Sequence, residues 1–124
     1  MSHPEESHLP RVLAVDSFQD WHSITRNVLK ENGVQLIHAN SVKEATTLLD
    51  LDNFNLVISG IKMPDGSGLD IMRLAEAKEI PFIICTSYEK DALPDVRYRQ
   101  CPYVWKGEIK KLSAMVERLL GSSA

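Results

Sequence analysis

The sequence is poor in cysteine: two in 124 residues, Cys85 and Cys101, with neither a CxxC pair nor zinc-ligand spacing. That argues against a disulfide framework and a structural zinc site, and it fits a reducing, cytoplasmic compartment. Long apolar runs are also lacking; none approaches the ~20 residues that cross a bilayer. There is no excess of basic residues, since 14 Lys and Arg against 17 Asp and Glu leave a formal charge of -3. No basic field therefore draws the chain to nucleic acid or to an anionic membrane. The four histidines, His3, His8, His22 and His38, are scattered and suggest no metal site. Met1 to Pro10 lacks the apolar stretch of a secretory signal and reads as a flexible arm. Internal repeats and low-complexity tracts are missing as well.

What is present is an ordinary globular balance, 44% hydrophobic and 25% charged. It is enough for one core and one domain, read over residues 11–121, with residues 122–124 as a frayed end. Short apolar runs recur at Val12–Val15, Val34–Ile37, Leu56–Ile58, Phe82–Cys85 and Tyr103–Trp105. Helix-period segments separate them. Three carry the capping-box pattern at their start: Ser17 with Asp20, Ser41 with Glu44, and Ser67 with Asp70. The first helix is expected to bury Trp21, Ile24, Val28 and Leu29 and to close at Gly33. Ile109, Leu112, Met115, Val116 and Leu119 form the stripe of the last helix. Residues 88–100 read ambiguously, because Pro94 breaks or kinks a helix there. Such alternation predicts a parallel sheet with helices on both faces. A dinucleotide fold is disfavoured, since no G-x-G-x-x-G follows the first strand.

In open sheets of this kind ligands bind beyond the carboxyl ends of the strands. The residues there are Asp16 and Ser17, then Gly60, then Thr86 and Ser87, then Lys106. The stretches V-L-A-V-D-S, N-L-V-I-S-G-I-K-M-P-D-G-S-G, P-F-I-I-C-T-S and Y-V-W-K, taken together and in this order, resemble the receiver domains of two-component response regulators. The resemblance spans roughly residues 11 to 120. It implies a flavodoxin-like, doubly wound five-stranded parallel sheet of order 2-1-3-4-5. It also implies a signalling role in a two-component or phosphorelay system rather than that of an enzyme.

Carried over by position, the resemblance makes Asp16 the first acid of the family's acidic pair. Ser17 falls where the second acid, usually a direct Mg²⁺ ligand, stands. Gly60 falls at the phosphate-accepting aspartate, Thr86 at the hydroxyl that bonds the phosphoryl group, Lys106 at the lysine that pairs with it, and Tyr103 at the switch aromatic. Gly107 replaces the proline usual after that lysine, and the short Thr86-to-Lys106 interval implies a reduced fourth helix. Phosphoryl transfer needs a carboxylate nucleophile and a divalent cation. Mg²⁺ is usually anchored by one or two carboxylates. Glycine offers no side chain and serine only a neutral hydroxyl, so neither phosphate nor Mg²⁺ is expected, and no other cofactor. Ser59 should face the opposite side of the sheet, and Asp65 lies in the following loop; both are poor substitute acceptors.

Asp16 and Lys106 are expected to pair across the vacated pocket, partly exposed and worth ~0–1 kcal/mol. Each position also has a plainer reading: Thr86 and Ser87 as a local cap, Lys106 and Lys62 as solvated lysines, Tyr103 as packing with its hydroxyl toward solvent or Thr86. The expected work is protein–protein contact with another signalling protein, whether histidine kinase, output domain or regulator. The face built from the fourth helix, fifth strand and fifth helix is the expected surface, including for a homodimer. Arg97, Arg99, Lys110 and Lys111 would make it a basic patch, or simply a solvated one. The alternatives are phosphorylation at a displaced residue, or a small-ligand or anion sensor using the emptied pocket.

Overall fold

The computed structural model describes residues 9–121. Met1 to His8 and Ser122 to Ala124 lie outside the described residues, so the N-terminal arm and the frayed end are not addressed. Five strands form one parallel sheet: β1 (Arg11–Val15), β2 (Gln35–Ala39), β3 (Leu56–Ser59), β4 (Phe82–Thr86) and β5 (Tyr103–Trp105). Their order is β2-β1-β3-β4-β5, the doubly wound arrangement expected from the sequence. Four α-helices cover it: α1 (Gln19–Leu29), α2 (Val42–Leu51), α3 (Gly68–Ala77) and α4 (Lys111–Leu119).

The strands are apolar without alternation because both faces are covered. Leu13, Val15, Val57 and Ile84 pack with Ala45 and Leu49 of α2 and Ile71 and Ala75 of α3. Val12, Ile58, Ile83 and Val104 pack on the other face with Leu29 of α1 and Leu112 and Val116 of α4. Burial of each such Val, Leu or Ile contributes ~1.5–3 kcal/mol.

Two of the three capping signals work. Ser67 and Asp70 form a full capping box at α3. Ser41 caps α2 through Glu44, while Glu44 reaches back to the Asn40 amide, 2.6 Å away, rather than to that of Ser41. Asp65 reinforces that end, its carboxylate accepting from the Val42 and Lys43 amides at 2.8 and 2.9 Å. These bonds hold its carboxyl below the usual range and give it a structural task. Ser17 does not cap α1. The N-cap is Phe18, whose amide donates to Asp16 Oδ1 at 2.9 Å, and the Ser17 hydroxyl donates instead to the Lys62 carbonyl at 3.1 Å. The stripe of α1 is also corrected: Ile24 is 39% exposed, and His22, Thr25 and Leu29 are the buried residues.

Gly33 beyond α1 takes φ 66°, the left-handed conformation that glycine adopts without penalty. After α3 the same conformation falls on Glu79, at φ 57°. There the Ile80 amide bonds the Ala75 carbonyl at 2.9 Å and the Glu79 amide bonds Glu76 at 3.0 Å, a Schellman closure with a non-glycine residue in the strained place. Between β4 and β5 the chain makes two 3₁₀ turns, Lys90–Ala92 and Val96–Gln100, in place of an α-helix. Pro94 between them removes an amide donor and fixes its own φ.

Candidate functional site

The parallel register brings the ends of β1, β3, β4 and β5 to one edge. There Asp16, Ser17, Gly60, Lys62, Thr86 and Lys106 line a polar cavity of about 220 Å³. Asp16, 8% exposed, is the carboxylate of this pocket. Its Oδ2 receives a hydrogen bond from Lys106 Nζ at 2.8 Å. The lysine ammonium also lies over the Trp21 ring, 4.4 Å from its centroid, a cation–π contact that fixes it from α1. The paired side chains are 19% (Lys106) and 11% (Asp16) exposed, more enclosed than the sequence suggested. Removing one partner of a pair so enclosed leaves an uncompensated charge, which costs more than an exposed pair contributes.

Gly60 explains how Asp16 comes to sit there. A Cβ built on Gly60 would stand 2.9 Å from Asp16 Oδ2 and 3.8 Å from the Cys85 carbonyl. The Asp16 carboxylate thus occupies the space into which a side chain at position 60 would begin to grow. Gly68 matters to the same wall: its Cβ would meet the Gly60 carbonyl at 2.5 Å, so only glycine lets the start of α3 approach β3 this closely. Ser59 is fully buried, and its hydroxyl donates to the Gly60 carbonyl at 2.8 Å.

Thr86 is 3% exposed and accepts from the Tyr88 amide at 3.1 Å, a local turn that leaves its own proton free to donate. The Tyr103 hydroxyl donates to the Tyr88 carbonyl at 2.6 Å, not to Thr86 or solvent. Tyr88 therefore joins the two, a role no sequence signal marked. Trp105 Nε1 donates to the Ser87 carbonyl at 3.2 Å. A Cβ at Gly107 would meet the Trp105 ring at 2.5 Å, so the indole takes the room a proline would need.

Two histidines are not scattered in space. His22 on α1 and His38 on β2 meet edge to face with ring centroids 4.3 Å apart. His22 Nε2 donates to the Asp16 carbonyl at 3.0 Å. Both His38 nitrogens lack a partner among the described residues. Burial first, then His22 and Arg26, push the His38 pKa down from 6.5 to about 4. Cys85 borders the same small space as the two histidines, and burial pushes its thiol up to about 12. Cys85 and Cys101 are both free thiols. Among the described residues no group of three or more His, Cys, Asp or Glu side chains is placed to hold a metal ion, and no helix is long and apolar enough to cross a membrane.

The expected basic patch is less open than its composition suggests. Arg97 is paired with Asp95 at 2.8 Å and Lys111 with Glu108 at 3.2 Å, while Arg99 bonds the Asp91 carbonyl at 3.3 Å. Lys110 enters none of the ion pairs among the described residues.

Comparison with known proteins places this geometry. The profile of the response regulator receiver domain family matches residues 12–100. The CAI-1 autoinducer sensor kinase/phosphatase CqsS of Vibrio cholerae is 33% identical over 81 residues, covering 61% of this chain and 12% of that protein. The chemotaxis protein CheY of Pseudomonas aeruginosa is 27% identical over 85 residues, 64% of this chain and 68% of CheY. The chain thus spans a small part of the length of CqsS, and likewise 18% of the response regulator PilR. The response regulator TrrA of Thermotoga maritima, solved with Mg²⁺ and BeF, superposes with a TM-score of 0.77 at 26% identity, covering 90% of this chain and 99% of TrrA.

Proposed function

The chain belongs to the response regulator receiver domain family, and we propose that it serves two-component signalling without phosphate as its switch, as a module for contact with another signalling protein. The observation that carries this reading is the Asp16–Lys106 ion pair set against a position 60 without a side chain. Lys106, which the family resemblance assigns to the phosphoryl group, is bonded to Asp16 at 2.8 Å, and position 60 has no side chain to accept phosphate. With a single carboxylate already paired to a lysine, the pocket has little to offer Mg²⁺, an ion that dehydrates reluctantly. A ligand shifts an equilibrium only through differential affinity for its states. Without an acceptor, the link from Thr86 through Tyr88 to Tyr103 stays in one arrangement, or is selected directly by the partner.

The partner is a histidine kinase, output domain or regulator in the cytoplasm, and the domain itself catalyses nothing. Contact falls on the face formed by the 3₁₀ segment, β5 and α4, where Lys110 and Arg99 are among the basic residues that enter none of the ion pairs among the described residues. Incubation with acetyl phosphate and Mg²⁺, read by intact mass, is expected to add no phosphate. A stoichiometric adduct would refute the proposal and favour phosphorylation at a displaced residue.

A further inference from the structure

His22 on α1 meets His38 on β2, at the opposite edge of the sheet from β5. Their contact suits neutral rings. His22 is 9% exposed, and its Nε2 proton is engaged by the Asp16 carbonyl, which leaves Nδ1 bare and without a hydrogen-bond partner. Both His38 nitrogens are enclosed and lack hydrogen-bond partners among the described residues, so neither is placed to bond His22 Nδ1. The charged and titratable groups around them offer an imidazolium no acceptor. From α1 come His22 itself and the Arg26 guanidinium, which repel a proton on His38. From the loop after β1 comes Asp16, whose carboxylate is engaged by Lys106 at 2.8 Å and by the Phe18 amide at 2.9 Å. From β4 comes Cys85, a thiol that burial keeps protonated. An imidazolium at His38 would therefore hold two enclosed N–H donors without acceptors, beside a cation. The residue as a whole is partly exposed, so the ring has a way out to water.

The contact is tied to the pocket through the first turn of α1. His22 holds the backbone carbonyl of Asp16 at 3.0 Å, and its neighbour Trp21 holds the Lys106 ammonium 4.4 Å from its ring centroid. That turn thus supports both members of the Asp16–Lys106 pair. No side chain caps the helix at Phe18, so the His22 bond is part of what fixes its first turn to the end of β1. We infer that the His22–His38 contact is an acid-sensitive latch on the pocket: a proton on His38 drives that ring out to solvent, and the first turn of α1 then loosens the Asp16–Lys106 pair. The latch is an input other than phosphate, and it stands whether or not the chain accepts phosphate. The held ring titrates at about 4 and a free one at 6.5, so the latch is complete above pH 6.5 and is lost as pH falls toward 4. One proton taken up on release lets the released population grow by up to about tenfold per pH unit across that window.

The test is an NMR titration of the full chain from neutral pH down through this window. Two signals are followed. One is the His38 ring; the other is the Lys106 methylene next to Nζ, which the Trp21 ring current shifts upfield while the ammonium stays over the indole. Both should change with one shared midpoint while the rest of the amide spectrum stays folded. Arg26→Gln takes away an exposed cation and should raise that midpoint. His38→Phe keeps a ring in the contact but cannot take a proton, and should hold the Lys106 signal fixed through the window. A Lys106 signal that moves alike in His38→Phe would assign the change to Asp16 itself and overturn the inference. Titration of His38 with Lys106 unmoved would reduce the two histidines to packing. Loss of the whole folded spectrum at the same midpoint would replace the latch by global acid unfolding. None of these outcomes bears on the acetyl phosphate result, so the two readings fail separately.

Discussion

Replacing Gly60 by aspartate puts a carboxylate back where the family resemblance calls for one, and the structure sets its cost. The new Cβ would start 2.9 Å from Asp16 Oδ2, so the Asp16 side chain must move and two carboxylates must share the pocket. Two unit charges ~4 Å apart interact by ~4 kcal/mol at an effective dielectric of ~20. Lys106, already bonded to Asp16 at 2.8 Å, can bridge both and offset about half of that. We therefore expect Gly60→Asp to lose ~2 kcal/mol without divalent ions, a fall of about 6–10 °C in Tm for a domain of this size. Two carboxylates also give Mg²⁺ an anchor that one does not. In 10 mM Mg²⁺ the variant should regain much of the loss, by mass action on the folded state, while the parent chain stays unchanged. Thermal and urea unfolding with and without Mg²⁺ measure both effects. A variant as stable as the parent and blind to Mg²⁺, or a parent stabilised by Mg²⁺, would refute the reasoning.

Lys106→Met removes the cation from an enclosed carboxylate and should cost ~2–3 kcal/mol in urea unfolding, well above the ~0–1 kcal/mol of an exposed pair; a loss below ~0.5 kcal/mol would return the pair to the exposed class. Glu79→Gly relieves a left-handed non-glycine residue and should stabilise the chain by ~1 kcal/mol, read as a raised urea midpoint with an unchanged m-value. For His38 the folded pKa of about 4 lies below the free value of 6.5, so the neutral ring is the form that folds. Its contribution is complete above pH 6.5 and is lost as pH falls toward 4. Linkage gives ~2 kcal/mol at about pH 5, and partial exposure of the ring reduces this to ~1 kcal/mol. His38→Phe should flatten the stability profile over that window, and a profile of unchanged slope would show that His38 does not titrate there.

The sequence made the fold legible because its signals were local. Unbroken apolar runs such as Leu56–Ile58 mark strands covered on both faces, and the Ser67–Asp70 box opens α3 as written. The pocket positions were legible for the same reason, since each directly follows a strand. What escaped depended on contacts between distant segments. The Ser17–Asp20 signal failed because Asp16 already satisfies the Phe18 amide, which moves the N-cap one residue on. The His22–His38 contact needs the parallel register that sets Ala14 beside His38, a pairing no periodicity reveals. Asp65 looked like a loop acid until α2 supplied two amides for it.

The pocket and the proposed partner face are joined through one loop. Thr86, on the pocket side, and Tyr103, on β5, both hold Tyr88, one through its amide and one through its carbonyl. Anything that moves Tyr88 therefore acts on both at once, with no need of a covalent change at position 60. Tyr88 also lines the polar pocket. A group entering that space presses on the residue that ties Thr86 and Tyr103 together. The same geometry separates two kinds of variant. Tyr103→Phe removes the bond to the Tyr88 carbonyl but leaves the Asp16–Lys106 pair whole, so it should change partner binding and cost less stability than Lys106→Met. Lys106→Met should do the reverse, lowering stability with partner binding kept. If both substitutions lower stability and partner binding alike, Tyr88 is not the joint, and pocket and face respond as one rigid body.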